Sequence, residues 1–320
     1  MSREKNMQIN KYIYSFRYDN TESELCKLES RCIFNKEEKN KFLISEIKAE
    51  PSRSAFIKRR LDIISFSKDY PALIADIKSK KIRTDGFKIE YLELKGDTSE
   101  YAERLEKLKD IGFCINTFPD YYNPTIIYGI CCYEDVWYFG VLIKNNLIWE
   151  KHKQKPRSFS NSIDMNIAKA LINIAAQSDI DSSILDACCG VGTIMLEGCF
   201  AGNNIEGCDN NYKVYRSALE NLAHYQYSAK VFYSDIKDIK KRYDAVILDL
   251  PYNMYSAATD IEISHIINAA ADISNRLVMV SISDLTNLIS NIGFKLSDYC
   301  IVNKRASNFS RRIWVCEKME

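Results

Sequence analysis

Two short stretches of this 320-residue chain carry residue types at spacings that support chemistry. The first is Ile184-Leu185-Asp186-Ala187-Cys188-Cys189-Gly190-Val191-Gly192-Thr193. It reads as a strand that enters a glycine turn and then a helix. Such a turn lets the backbone approach a ligand at the carboxyl end of a strand, where open α/β sheets bind ligands. Met195 stands where a dinucleotide fingerprint has its third glycine, and no Gly-Lys-Ser/Thr follows as a P-loop requires. The turn therefore points to a ligand other than a pyrophosphate. Acidic residues then recur at strand ends. Asp209, about twenty residues past the turn, can accept from two ribose hydroxyls. Asp235 follows the next strand and can accept from an adenine amino group, and Asp249 follows the strand after that. One such aspartate alone would read as a helix N-cap. Several on successive strands, facing one crevice, fit a nucleoside without phosphate charge.

The second stretch, Asp249-Leu250-Pro251-Tyr252, supplies a reaction. An amino group on a purine or pyrimidine is a poor nucleophile, because its lone pair is delocalised into the ring. The Asp249 carboxylate and the Leu250 carbonyl can accept both N–H bonds. The nitrogen is then held near tetrahedral, with its lone pair aimed at an incoming methyl group. Pro251 stiffens the loop, and Tyr252 offers a face on which a base can stack outside its helix. Neither a metal nor a histidine is needed.

The elements that position these residues follow from periodicity. Residues 1–150 read as a small α+β region. Strands are expected at 11–18, 42–47 and 87–94, helices at 23–34, 70–81 and 101–111, and a hairpin at 126–132 and 136–143. Residues 151–162 are polar and basic, carry Pro156 and read as a linker. From 163 to 320 an α/β rhythm sets in. Strands at 184–187, 204–208, 230–233, 245–248 and 277–282 alternate with helices at 163–176, 193–200, 213–225, 261–273 and 285–292. Two closing strands, 295–302 and 313–316, form a terminal hairpin. Strands joined by crossover helices imply a doubly wound parallel sheet. The expected class is α/β, a seven-stranded Rossmann-like domain preceded by a smaller α+β domain.

Composition is that of a globular protein, with 46% hydrophobic and 27% charged residues. No apolar run is long enough to span a bilayer, and the charged N-terminus lacks a secretion signal, so a cytoplasmic protein is expected. The eleven cysteines are odd in number and form no Cys-x-x-Cys, which points to free buried thiols and to no metal. The net charge is only +1, but basic residues cluster at Arg53 with Lys58–Arg60, at Lys78, Lys80, Lys81 and Arg83, at Lys151, Lys153, Lys155 and Arg157, and at Arg311–Arg312. Together they favour an RNA surface modestly; each alone reads as a solvated face.

Asp186-Ala187-Cys188-Cys189-Gly190-Val191-Gly192-Thr193, with Glu197 four residues on, resembles the D-x-x-C-G-x-G-T-x-x-x-E signature of RNA N2-guanine methyltransferases. More narrowly it is similar to the tRNA guanosine-10 N2-methyltransferase family and its bacterial relatives. Lys155–Ser160 and Pro51–Ile57 also resemble stretches of that family. The resemblance implies S-adenosylmethionine held by Asp186, Gly190, Gly192, Asp209 and Asp235, with Cys188, Thr193, Asn210, Ile236 and Asp249 beside them. It implies base-amine contacts from Asp249, Leu250, Pro251 and Tyr252. Family members carry a ferredoxin-like segment and a THUMP module that grips the tRNA acceptor end, of which residues 1–150 would be a reduced version. The implied partner is tRNA, and the chain would act as a monomer or with a small activating protein. Leu250 departs from the family, which usually has proline there, yet Asn-Leu-Pro-Tyr occurs in RNA dimethyladenosine methyltransferases. Adenine N6, cytosine N4 and a protein glutamine are the alternative acceptors. A non-catalytic RNA-binding relative or partner subunit is the alternative of another class.

Overall fold

The computed structural model describes residues 11–95, 97, 99–159, 162–250, 260–303 and 310–319. In chain order, the first part holds β1 (Tyr12–Phe16), α1 (Ser23–Phe34), β2 (Phe42–Ser45), β3 (Ile57–Ser67), α2 (Tyr70–Ser79), β4 (Phe87–Tyr91), α3 (Tyr101–Gly112), β5 (Ile126–Tyr133) and β6 (Val136–Lys144). The rest holds α4 (Met165–Ala176), β7 (Ser183–Ala187), α5 (Thr193–Ala201), β8 (Asn204–Asp209), α6 (Tyr212–His224), β9 (Lys230–Tyr233) and β10 (Tyr243–Asp249). These are followed by α7 (Asp260–Asp272), β11 (Ser274–Ser281), α8 (Thr286–Ile289), β12 (Phe294–Asn303) and β13 (Ser310–Lys318).

These elements form two compact units that do not divide at a single point in the sequence. The first takes β1, β2, β3, α2, β4, α3, β5 and β6. The second takes residues 18–37 and 52–55 together with everything from Leu147 onward. Thus α1 lies within the first 150 residues but belongs to the second unit. The reason is a buried polar network. Glu29 on α1 accepts from Ser54 Oγ and from Asn173 Nδ2 on α4, both at 2.6 Å, and Arg53 Nε donates to Asn173 Oδ1 at 2.7 Å.

The first unit is a six-stranded sheet in the order β2-β1-β3-β6-β5-β4, with β4 parallel to β5 and the other neighbours antiparallel. Asp69 caps α2 by accepting the Ala72 N–H at 3.0 Å, and the following proline suits the first turn. Leu73 and Ile77 of α2 and Ile111 of α3 pack on Phe87, Ile130 and Phe139 of the sheet. The long strand β3 lies where the sequence reads as a basic cluster. Arg60 is buried and donates to the Ala49 carbonyl at 2.8 Å and to Asp62 Oδ1 at 2.5 Å. Arg53 is buried too, so half of this cluster is structural and not a solvated face.

The second unit holds a seven-stranded sheet in the order β12-β13-β11-β10-β7-β8-β9. The run from β11 to β9 is parallel, while β13 pairs antiparallel with both β11 and β12. The segment expected as a linker is folded where it begins. Residues Ile148–Gln154 form a short 3-10 helix that buries Trp149 and His152 completely or nearly so. Among the described residues, no helix is long and apolar enough to cross a membrane.

Candidate active site

From β7 the chain steps outward to β8 and β9, then returns to the other side of β7 as β10 and β11. The order of strands therefore reverses between β7 and β10, and the carboxyl ends at such a switch point are where open α/β sheets bind ligands. Register brings three aspartates to one face of the sheet at this place. Asp186 of β7 lies opposite Gly207 of β8 and opposite Ile247 of β10. Asp209 and Asp249 are each two residues beyond those partners. Because side chains alternate with period two, Asp186, Asp209 and Asp249 share a face.

The glycine turn is pinned to this face. Asp209 Oδ2 accepts the Gly190 N–H at 2.9 Å, and its Oδ1 accepts the Asn211 N–H at 2.8 Å. Gly190 has φ 55°, and a Cβ built there meets nothing within 4 Å. Gly192 has φ 77°, and a Cβ there would lie 3.3 Å from Ala218 Cβ on α6. The two glycines differ in purpose: Gly192 permits close packing, whereas Gly190 leaves open space. Cys188 also takes a left-handed backbone, at φ 60°, a strained conformation for a residue with a side chain.

Buried polar groups collect at the switch point. Both carboxylate oxygens of Asp186, Oδ1 of Asp249 and Oγ1 of Thr193 are buried and have no hydrogen-bond partner among the described residues. Burial, together with the charges of Asp249 and Asp209, holds the Asp186 carboxyl well above the usual carboxylate range. Burial pushes Asp249 up to about 7, opposed by the Arg311 guanidinium. Asp209 is raised by burial, with its two backbone hydrogen bonds pulling the other way. The Cys188 and Cys189 thiols are pushed up by burial and by the Asp186 and Asp209 carboxylates, which makes them poor nucleophiles.

The other expected residues are placed as follows. Asp235 caps the turn after β9 by accepting the Lys237 N–H at 3.1 Å, and its charge reaches Cys188. Ile236 is buried in the core with Cys208 and Leu248. Asn210 is exposed just past β8. Leu250 is buried, and its N–H donates to the Val280 carbonyl at 3.1 Å. Pro251 and Tyr252 lie outside the described residues.

Three features were not anticipated from sequence. Asn221 of α6 is fully buried, and its Nδ2 donates to the Val191 carbonyl in the glycine turn and to the Arg157 carbonyl, both at 2.9 Å. Its Oδ1 accepts the Arg157 N–H at 2.9 Å, so one side chain joins the turn to the 155–159 segment. An asparagine on the apolar stripe with Ala218 and Leu222 was the available signal. Second, Glu197 is fully buried between Lys169 Nζ at 3.0 Å and His152 Nδ1 at 2.6 Å, with His152 Nε2 3.0 Å from the Tyr227 hydroxyl. Third, Arg311, read as surface charge, acts electrostatically on Asp249.

The parallel sheet with a C-terminal antiparallel hairpin, in the order β12-β13-β11-β10-β7-β8-β9, defines a Rossmann-like α/β fold. Residues 153–256 match the family described as "UPF0020: RMKL-like, methyltransferase domain". The "tRNA (guanine(10)-N2)-dimethyltransferase" of Methanothermobacter thermautotrophicus is 29% identical over 123 residues, covering 38% of this chain and 36% of the relative. The protein of the same name from Methanocaldococcus jannaschii is 25% identical over 246 residues, covering 70% of this chain and 65% of the relative. The chain thus spans 36% and 65% of the lengths of these two curated relatives. A crystal structure of TrmN from Thermus thermophilus overlays with a TM-score of 0.47 at 14% identity, covering 97% of this chain and 100% of that one.

Proposed function

We propose that this chain is an S-adenosylmethionine-dependent RNA methyltransferase that modifies N2 of a guanosine in tRNA. The observation that carries the reading is the pair Asp186 and Asp249: both oxygens of the first and Oδ1 of the second are buried without a partner among the described residues, on one face of the sheet at the switch point that Gly190 follows. Buried carboxylates without partners are costly unless a ligand completes them. The cofactor suits them, since it carries hydroxyl and amino donors and a net positive charge. Asp186, Gly190, Asp209 and Asp235 would hold it, with Cys188, Gly192, Thr193, Asn210 and Ile236 shaping the pocket. When bound, S-adenosylmethionine supplies an electrophilic methyl group on a cationic sulfur.

The chain's own residues do the rest. Asp249 is seated at the end of β10, where its carboxylate can accept one N–H of a base amino group, and the Leu250 carbonyl can accept the second. The Leu250 N–H is already bonded to Val280, which fixes the direction of the peptide that carries this carbonyl's neighbour Asp249. Pro251 and Tyr252 are proposed to stiffen the loop and to stack the base. The relatives' printed names support tRNA and guanine as the substrate. The first unit would hold the RNA. The eleven free cysteines agree with work in a reducing cytoplasm.

The test is incubation of the chain with labelled cofactor and hypomodified tRNA, followed by digestion to nucleosides. Label in N2-methylated guanosine is the expected result. Label in adenosine, cytidine or the protein itself overturns the guanine assignment.

A further inference from the structure

At one end of the first unit, residues 80–86 and 113–125 are laced into a single surface. Asn116 N–H donates to the Ile82 carbonyl at 3.1 Å, Thr117 Oγ1 to the Thr84 carbonyl at 2.6 Å, and Gly86 N–H to the Phe118 carbonyl at 3.1 Å. Thr125 closes the set with its N–H on the Gly86 carbonyl at 2.8 Å and its hydroxyl on the Asp85 carbonyl at 2.6 Å. This scaffold displays rings outward: Phe118 is 88% exposed, Tyr122 93%, Phe113 74% and Tyr121 66%. The two tyrosines ride on a fixed turn, because Asp120 Oδ1 accepts the N–H of both Tyr122 and Asn123 at 2.9 Å.

Basic side chains border the rings. Lys78, Lys80, Lys81, Arg83 and Lys109 are all exposed. The Lys109 ammonium sits 5.9 Å from the Phe113 ring centre, and the charge of Lys78 reaches Cys114 at the end of α3. Lys80 is partly committed to Asp76 at 3.4 Å. Asp76, Asp85, Asp110 and Asp120 are the acidic neighbours: Asp110 acts on Cys114 against Lys78, and Asp120 is held in its turn.

So dense a set of exposed rings marks a binding surface. Lysine is depleted at protein interfaces, whereas rings flanked by Lys and Arg are the makeup of platforms for single-stranded nucleic acid. We infer that this face is a stacking platform for unpaired RNA nucleotides, with Phe118 and Tyr122 taking bases and Lys81 and Arg83 taking phosphates. A duplex keeps its bases stacked on one another and cannot use the rings. The inference rests on the proposed RNA substrate and adds where, and in what state, the RNA is held.

The experiment measures fluorescence anisotropy of a labelled, unstructured decaribonucleotide, and of a duplex of equal length, titrated with the full chain. The decamer binds more tightly than the duplex. Phe118→Ala combined with Tyr122→Ala weakens the decamer about tenfold or more. Lys81→Glu combined with Arg83→Glu weakens it too and flattens its salt dependence. Melting temperature and cofactor affinity by calorimetry stay unchanged in both variants, since these side chains are exposed. Decamer binding within about twofold of wild type in the ring variant, or equal binding of duplex and decamer, overturns the platform and returns the face to a protein partner. Methyl transfer to tRNA by the wild-type chain is scored separately. Transfer with an unaltered ring variant sinks only the platform, and no transfer sinks the reading beneath it.

Discussion

The Asp209 carboxylate accepts the Gly190 N–H at 2.9 Å, so the end of β8 fixes the turn that leaves β7. The bond holds Gly190 in a left-handed backbone with open space over its Cα. A residue expected to bind ligand through its oxygens therefore also builds the loop that receives it.

The contrast between the two glycines is testable. Gly190→Val puts a side chain into open space, so the fold should persist at a strain cost of about 1–2 kcal/mol while cofactor affinity falls about tenfold or more. Gly192→Val drives against Ala218 and should lower stability further. Calorimetric titration and thermal melts of both variants separate the effects. Undiminished cofactor binding in Gly190→Val would place the ligand elsewhere.

Asp249 links pH to binding. Its carboxyl is pushed up to about 7, so the free protein gains the full negative charge only as pH rises through neutrality. Affinity for cationic S-adenosylmethionine should therefore increase across that range, while the neutral product S-adenosylhomocysteine shows a flatter profile. Parallel profiles for the two ligands would separate Asp249 from the sulfur's charge.

The same group sets a trade of stability against activity. Its folded pKa lies above the usual 3.8, so the native state holds the extra proton between those values. Its contribution to stability is then full below the lower value and lost as pH rises through about 7. Asp249→Asn removes that loss. The variant should melt a few degrees above wild type at about pH 8 and match it near pH 4. Methyl transfer should fall about a hundredfold or more, because an amide oxygen is a weaker acceptor and carries no charge.

Asn221 is expected to be a positioning residue. Asn221→Leu leaves the Val191 and Arg157 backbone groups without this partner, costing about 1–3 kcal/mol in denaturant unfolding. Cofactor affinity should drop several-fold, whereas Ser217→Ala on the same helix leaves it unchanged. Equal effects from both variants would reduce Asn221 to a stability role.

The buried triad of Glu197, His152 and Lys169 behaves as a unit. Glu197→Ala strands a lysine that is only 1% exposed and should cost about 3–5 kcal/mol. Glu197→Leu combined with Lys169→Met removes both charges and should cost less than Glu197→Ala alone, read as a smaller shift of the urea midpoint.

The sequence by itself determined the elements whose periodicity is clean and local. Helix α1 spans Ser23–Phe34 as read, and the β/α alternation from β7 to the closing hairpin follows the expected order. It also placed Asp209 and Asp249 at strand ends and Asp235 just past one, since a strand running into a turn is a local signal. What the sequence left open depended on partners distant along the chain. Arg53 and Arg60 look like solvated charge until Asn173, Ala49 and Asp62 arrive to satisfy them. His152 looks like part of a linker until Glu197 and Tyr227 enclose it, and α1 joins the second unit through Asn173 on α4. Only the sheet's register put Asp186, Asp209 and Asp249 on one face, where burial and the neighbouring carboxylates raise Asp186, whose oxygens have no partner among the described residues. A charged side chain is the same letter whether water or protein solvates it; tertiary contact decides which, and that decision shapes the site.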